Sequence, residues 1–234
     1  MKISLLTLFP SLFKSPLNES ILKRAQKEKK VTIRLINIRD FATDHYKTVD
    51  DHPYGGGTGM ILKVDVLHRA LQKVAKNPKL PTAHSKLQTK IILLDPAGPQ
   101  FAQKKAQELS RLDHLILICG HYEGVDARIE NYIDEKLSIG PYVLTGGEIP
   151  ALVVVDAVTR LIPGVLKKKD ATLNESFSTD EKGVEYLEYP QYTRPQVYEG
   201  KEVPEVLLSG NHKEIETWKK KMMRYNKFST NNLG

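Results

Sequence analysis

Several short stretches carry glycines and carboxylates in patterns that packing alone does not require. Gly146-Gly147 runs directly into Glu148, and an apolar run follows. A carboxylate there would sit in the first turn of a helix, where negative charge suits the helix dipole. Upstream, Leu115 to Cys119 is a short apolar run ending in Gly120, the pattern of a buried strand entering a tight turn. Two such turns at neighbouring strand ends would build one crevice of exposed amides and carbonyls, where ligands bind. The spacing is equally compatible with ordinary turns. Neither G-x-G-x-x-G nor G-x-x-x-x-G-K-[ST] occurs, so no nucleotide fingerprint is present. A further cluster, Gly55-Gly56-Gly57-Thr58-Gly59, suits neither helix nor strand interior. It reads either as a floppy loop or as backbone that approaches a ligand closely. Asp50 and Asp51 just before it argue against simple phosphate binding.

The elements that must position these turns alternate. Lys2 to Leu8 predicts a strand, and Asn18 or Ser20 is a candidate cap for a helix to about Glu28 with Ile21 and Ala25 inward. Val31 to Ile38 alternates imperfectly, as a strand covered on both faces would. Leu62 to Ala75 predicts an amphipathic helix, and 76–90, with Pro78 and Pro81, a surface loop. Ile91 to Leu94 predicts a buried strand ending in the turn Asp95 to Pro99, and Phe101 to Leu109 a helix. Val125, Ile129 and Ile133 predict one stripe of a helix, and Ser138-Ile139-Gly140 leads toward a second short strand. Val203 to Leu208 is expected to dock or pair, and Asn211 to Tyr225 to form a basic helix. Strands alternating with helices predict an α/β domain with a mostly parallel sheet. There are no internal repeats.

The composition narrows the function classes. The chain has 234 residues and a formal net charge of +7. Residues 1–40 hold nine Lys or Arg against three acids. Basic charge concentrates in Lys23 to Lys30, Lys167 to Lys169 and Lys219 to Arg224. Clustered basic charge suits a polyanion partner, and it also suits solvated helix faces. The one cysteine, Cys119, lies in an apolar run and reads as a small buried hydrophobe, so no intrachain disulfide is possible. That fits a cytoplasmic location. Leu5 to Phe9 is too short for a signal segment, and no apolar run has the length to span a membrane.

Taken together, C-G-H-Y-E-G-V-D-x-R from Cys119, S-I-G-x-Y-V-L-T-G-G-E-x-P-A from Ser138 and R-x-I-P-G-V-L from Arg160 closely resemble the bacterial tRNA (guanine-N1)-methyltransferase family, TrmD. So do Val49 to Met60, Tyr192 to Pro195 and Val203 to His212, in order along nearly the whole chain. The resemblance implies a SPOUT-class α/β fold: a mostly parallel sheet, a deep trefoil knot and a small, mainly helical C-terminal domain. It implies a methyltransferase domain at 1–165 and a tRNA-binding domain at 189–234; between them Leu166 to Glu188 is charged and low in apolar residues, which suits a flexible linker that orders on RNA binding. The glycine-rich loop at Gly55 should lie near the substrate site. The knot turns would hold S-adenosylmethionine through Pro96, Gly120, Tyr122, Glu123, Ile139, Gly140, Pro141, Tyr142, Val143, Leu144, Gly146, Gly147 and Pro150. For the apolar members of that set, plain core packing is an equal explanation.

The reaction implied is methyl transfer to N1 of guanine at tRNA position 37, beside the anticodon. That nitrogen carries a proton, so a base must remove it, and the charge developing on O6 needs a donor. The resemblance assigns the donor to Arg160 and the base to Glu175, where the family has aspartate; Asp170 is a weaker candidate. Glu and Asp have close reference pKa values, about 4.3 and 3.9, so the departure is one of reach. His121 stands where the family often has arginine, and Pro141 where it often has aspartate. Implied partners are the tRNA anticodon stem-loop and a second copy of the chain, sharing the site across a homodimer. Magnesium is implied as a supporting ion, although no dedicated ligand cluster stands out. Two alternatives remain: a noncatalytic RNA-binding homologue that lost its base, and a SPOUT methyltransferase with another RNA target. The Tyr192-Thr193-Arg194-Pro195 and Gly210-Asn211-His212 stretches argue against the second.

Overall fold

A computed structural model describes residues 1–75, 88–167, 172, 175–180 and 183–225. The chain divides into two compact units, Met1–Leu166 and Lys167–Gly234. The first unit opens with β1 (Lys2–Thr7), a 3-10 turn at Pro10–Phe13, the short α1 (Lys14–Leu17), α2 (Ser20–Lys27) and β2 (Thr32–Asn37). A two-stranded ribbon, β3 (Asp50–Asp51) and β4 (Ile61–Leu62), precedes α3 (Val64–Ala75). Then come β5 (Thr89–Leu94), α4 (Gln103–Leu109), β6 (His114–Cys119), a 3-10 helix at Ala127–Tyr132, β7 (Glu135–Leu137) and α5 (Glu148–Thr159).

Five of these strands form one sheet in the order β2-β1-β6-β5-β7, and every pairing is parallel. The two central strands are apolar nearly throughout because helices cover both faces. Alternate residues serve opposite sides. Ile3, Leu5, Leu115, Leu117 and Cys119 join the cluster containing Leu22 and Ala25 of α2, Ala106 and Leu109 of α4, and Val154, Val155 and Val158 of α5. Leu6, Ile116 and Ile118 join Val66, Leu67, Ala70 and Leu71 of α3 with Ile38 and Ile129. Because α5 is apolar on nearly every side, its buried face does not account for all of its apolar residues. Ile149 and Val153 are exposed, as is Leu12 of the Pro10–Phe13 turn. Among the described residues no helix is long and apolar enough to cross a membrane.

Several local expectations need correction. Neither Asn18 nor Ser20 caps α2; Glu19 occupies that position without a side-chain cap, and the Asn18 amide donates instead to the Lys14 carbonyl at 2.6 Å. Ile21 packs against the core as expected, half-buried, and Leu22 beside it is the buried partner of Ala25. Ile61 and Leu62 belong to β4, so α3 starts at Val64. Strand β5 begins at Thr89, and residues 76–87 of the expected 76–90 loop lie outside the described residues. Val125 to Ile133 is not an α-helix: Val125 bridges Leu62 in parallel, and only Ala127–Tyr132 coils, as a 3-10 helix capped by Asp126. Its three apolar residues nonetheless meet one cluster, with Ile129 buried and Val125 and Ile133 against it. The short strand near Ser138 precedes it as β7.

In the second unit, β8 (Ser178–Thr179), β9 (Glu185–Leu187) and β12 (Arg224–Tyr225) form an antiparallel sheet in the order β12-β9-β8. Between β9 and β12 lie the hairpin of β10 (Val197–Tyr198) and β11 (Lys201–Glu202), a 3-10 turn at Glu205–Leu207 and α6 (His212–Met222). Thus residues 178–187, inside the stretch expected as linker, contribute two strands. Helix α6 ends three residues before the predicted boundary because Arg224–Tyr225 pairs with β9. Its start is set by Asn211, whose side-chain oxygen accepts from the Lys213 and Glu214 amides at 3.2 and 3.4 Å.

Candidate active site

The C-terminal ends of β5, β6 and β7 open into three turns, and hydrogen bonds lock these turns together. From the β5 turn, the Phe101 amide donates to the Ser138 carbonyl at 2.7 Å, and the Ser138 amide to the Pro99 carbonyl at 3.0 Å. Gly98 lies so close to β7 that a Cβ there would fall 2.5 Å from the Leu137 nitrogen. From the β6 turn, the Gly120 carbonyl accepts the Gly147 amide at 2.8 Å. A Cβ on Gly147 would fall 2.7 Å from the Cys119 Cα. Within the third turn, the buried Ser138 hydroxyl donates to the Gly140 carbonyl at 3.1 Å and accepts the Gly140 amide at 3.2 Å. The Tyr142 hydroxyl returns to the Ile139 carbonyl at 3.2 Å.

These turns enclose a cavity of about 230 Å³. Twelve of the thirteen residues expected at a cofactor line it: Pro96, Gly120, Tyr122, Glu123, Ile139, Gly140, Tyr142, Val143, Leu144, Gly146, Gly147 and Pro150. Pro141 does not; the chain turns between Gly140 and Tyr142, leaving the ring exposed outside the lining. The lining also includes residues outside that set, among them Asp95, Gly124, Val125, Ser138 and Thr145, and His121, which stands where the family often has arginine. Asp95 carried a signal in its Asp-Pro-Ala-Gly-Pro turn; its carboxylate accepts the Ala97 amide at 2.8 Å. Nothing in a single sequence marked Val125. Val143 is 88 % exposed and Tyr142 53 %, so one wall of the cavity is thinly supported. Tyr122 adopts φ +59°, a conformation costly for a non-glycine residue and found preferentially at functional sites.

Beneath the cavity lies a buried carboxylate. Glu148 is 3 % exposed and accepts the Thr7 hydroxyl at 2.8 Å. Its second oxygen faces the His121 Nδ1 at 3.7 Å. Burial, and then the charge of Glu148, hold the Cys119 thiol well above its usual range, so this cysteine stays protonated and inert. The glycine-rich loop is the turn of the β3–β4 ribbon. Gly59, at φ +89°, packs so tightly that a Cβ would fall 2.4 Å from the Glu123 side chain, and the Glu123 amide donates to the Met60 carbonyl at 3.1 Å. The loop therefore borders the cavity.

Arg160 is not part of the lining. It ends α5, twelve residues after Glu148, and its amide donates to the Asp156 carbonyl at 3.2 Å. Glu175 belongs to the second unit, where its carbonyl accepts the Ser178 amide at 3.0 Å and starts the turn into β8. The same turn is pinned by the Phe177 amide to the Tyr186 carbonyl at 2.7 Å and by the Glu188 amide to the Ser176 hydroxyl at 3.1 Å. Asp170 lies outside the described residues.

A family model described as tRNA (Guanine-1)-methyltransferase TrmD matches residues 1–231. Among curated proteins, a tRNA (guanine-N(1)-)-methyltransferase of Carboxydothermus hydrogenoformans is 52 % identical over 227 residues, covering 97 % of this chain and 84 % of its own. Proteins of the same name from Syntrophomonas wolfei and Chloroflexus aggregans are each 51 % identical, covering 94 % of this chain and 84 % and 82 % of theirs. With a match of this extent and three interlocked turns around one cavity, the chain belongs to the TrmD family of tRNA (guanine-1)-methyltransferases.

Proposed function

We propose that this protein transfers a methyl group from S-adenosylmethionine to N1 of guanine 37 in tRNA, using a site shared between two copies of the chain. The observation that carries this reading is the cavity. It combines apolar walls (Ile139, Val143, Leu144, Pro150) with the backbone of Gly140, Gly146 and Gly147, where a Cβ would strike the Tyr142 ring, the His121–Glu148 pair and the Cys119 backbone respectively. Such a lining suits an adenine ring, which needs an apolar slot and backbone partners on its polar edge. S-adenosylmethionine supplies the electrophilic methyl group. The interlocked Pro99, Ser138, Gly120 and Gly147 backbone bonds support the trefoil knot in the same reading.

Arg160 supports the dimer. A rise of about 1.5 Å per residue sets it roughly 18 Å along α5 from Glu148, at the end of the helix where Gly147 and Pro150 line the cavity. One chain's own helix thus carries Arg160 away from its cavity. A second copy packed over the exposed Leu12, Ile149 and Val153 would cover apolar surface and bring an Arg160 back toward it. In this reading Glu175 accepts the N1 proton, and Arg160 stabilises the charge developing on O6. The second unit, with Lys219, Lys220 and Lys221 in the last turn of α6, grips the anticodon stem-loop. A cytoplasmic location goes with that substrate. For magnesium, no group of three His, Cys, Asp or Glu that could hold a metal occurs among the described residues, so they do not fit a dedicated divalent site and no step is assigned to one.

The test is single-turnover methylation of tRNA transcripts by wild type and Glu175→Gln. The amide keeps shape but cannot take the proton, so the rate should fall about 10²–10⁴-fold while cofactor affinity is kept. Equal rates, with chemistry limiting, would remove Glu175 from the mechanism. Transcripts altered only at guanine 37 should not be methylated.

A further inference from the structure

The His121–Glu148 pair is incomplete. Glu148 is 3 % exposed, and beyond the Thr7 hydroxyl it faces only an imidazole, with Oε2 and Nδ1 3.7 Å apart. That gap is too long for a hydrogen bond, whose N–H···O length is about 2.7–3.2 Å. The Nδ1 atom is itself buried and has no hydrogen-bond partner among the described residues. Buried polar atoms without partners are rare and call for an explanation. A buried carboxylate without a counter-charge is likewise costly.

The surroundings indicate what would close the gap. The His121 ring is held by Phe9, with centroids 4.7 Å apart, and by Tyr122, edge-on at 4.9 Å. A Cβ on Gly146 would fall 2.5 Å from both Nδ1 and the Glu148 carboxylate, so the Gly146 backbone lies against the pair. Tyr122 and Gly146 both line the cavity, as does His121. A ligand filling the cavity therefore presses on the two neighbours that set the ring's distance from Glu148. The charged or titratable groups on the packed elements are Glu148 of α5, Cys119 of β6, whose thiol stays protonated, and Tyr122 and Glu123 of the same turn; β1 and the residues following it contribute the neutral Thr7 and Phe9. No lysine or arginine is ion-paired with Glu148 among the described residues, which leaves the imidazole as the group beside it able to carry a counter-charge.

We propose that His121 is a positioning residue of the cavity, and that ligand binding draws its ring onto Glu148 as a hydrogen-bonded ion pair with uptake of one proton. The proton comes from solvent and ends on the imidazole, where Nδ1–H donates to the carboxylate. The ion pair then fixes Tyr122 and the Gly146-Gly147 turn around the ligand. This rests on the reading of the cavity as the S-adenosylmethionine site.

Calorimetry of S-adenosylmethionine binding to the full chain, in two buffers of different ionisation enthalpy at one pH, measures the proton directly. The expected result is net uptake, with affinity falling as pH rises by up to about tenfold per unit. His121→Arg carries a permanent cation, so its binding should show neither uptake nor that slope. Glu148→Gln, which retains an acceptor for Thr7, should lose the uptake as well. Wild-type binding without proton uptake would overturn the proposal, as would a slope that persists in His121→Arg. Absence of any wild-type binding would instead overturn the cofactor reading beneath it.

Discussion

Gly147→Ala isolates the packing between the cavity turns. The backbone at Gly147, φ −80° and ψ −2°, suits alanine, so the change adds no dihedral strain. What it adds is a methyl 2.7 Å from the Cys119 Cα, 2.9 Å from the Gly120 nitrogen and 3.1 Å from the Cys119 carbonyl carbon. All three are backbone atoms, two of them in the fully buried Cys119 at the end of β6, so no rotamer change relieves the contact. Overpacking of a tight interior costs about 1–3 kcal/mol, and contact with backbone belongs at the upper end. Gly→Ala returns about 0.4–1 kcal/mol by restricting the unfolded chain. The net destabilisation is about 2 kcal/mol. At roughly 2–4 °C per kcal/mol for a chain of this size, the melting temperature should fall by about 4–8 °C. Gly120→Ala is the control: its nearest neighbours would be the Val125 side chain at 3.5 Å and the Leu94 carbonyl at 3.6 Å, ordinary contacts. It should melt within about 2 °C of wild type. Thermal unfolding followed by circular dichroism reads both. Equal melting temperatures for the two variants would refute the claim that the Gly120–Gly147 approach demands glycine.

Other measurements follow from the geometry. Replacing Lys220 and Lys221 with Ala should reduce the steepness of tRNA affinity against salt by up to about 2 in log–log slope, since each neutralised phosphate contributes about 0.9; an unchanged slope assigns them to a solvated face. Lys219 is a poorer choice, because it already pairs with Glu216 at 2.7 Å and lies over the Tyr189 ring. Gly140→Val should weaken S-adenosylmethionine binding more than tenfold, since even a Cβ there meets the Tyr142 ring at 2.3 Å; normal calorimetric binding would misplace the crevice. Burial, with Lys2 and Arg34 nearby, pulls the His114 pKa down to about 4 from an ordinary value near 6.5. The unfolded chain then binds the extra proton, so this stability is complete above about pH 6.5 and is lost as pH falls toward 4. His114→Gln should flatten the acid limb of a pH–stability curve in that window.

The parallel α/β core was legible because β1, β5 and β6 are apolar runs bounded by glycine and proline, and their burial on both faces leaves no alternation to misread. The 3-10 segment at Ala127–Tyr132 was not. Val125, Ile129 and Ile133 keep helical spacing, but Val125 is claimed by the bridge to Leu62, a long-range pairing no local pattern announces. The glycine turns were visible as turns. Their placement at one crevice was expected, but the hydrogen bond between them, the Gly147 amide on the Gly120 carbonyl, is a long-range contact that glycine spacing does not express. The orphaned Nδ1 of His121 depends on a 3.7 Å gap that residue types cannot express.

In the second unit, Tyr186 is the only buried side chain among the described residues. Phe177, Tyr192, Val197, Tyr198, Leu208, Met222 and Tyr225 are left exposed. Segments of this size rarely hold together on so little interior. Its order must then be completed by whatever covers those side chains, and the entropy of completing it is subtracted from the grip on the partner. If the second unit grips tRNA, as proposed above, a weakly self-sufficient clamp shortens the residence of product. Protection of residues 183–225 from limited proteolysis should accordingly increase with tRNA and fall back on its removal.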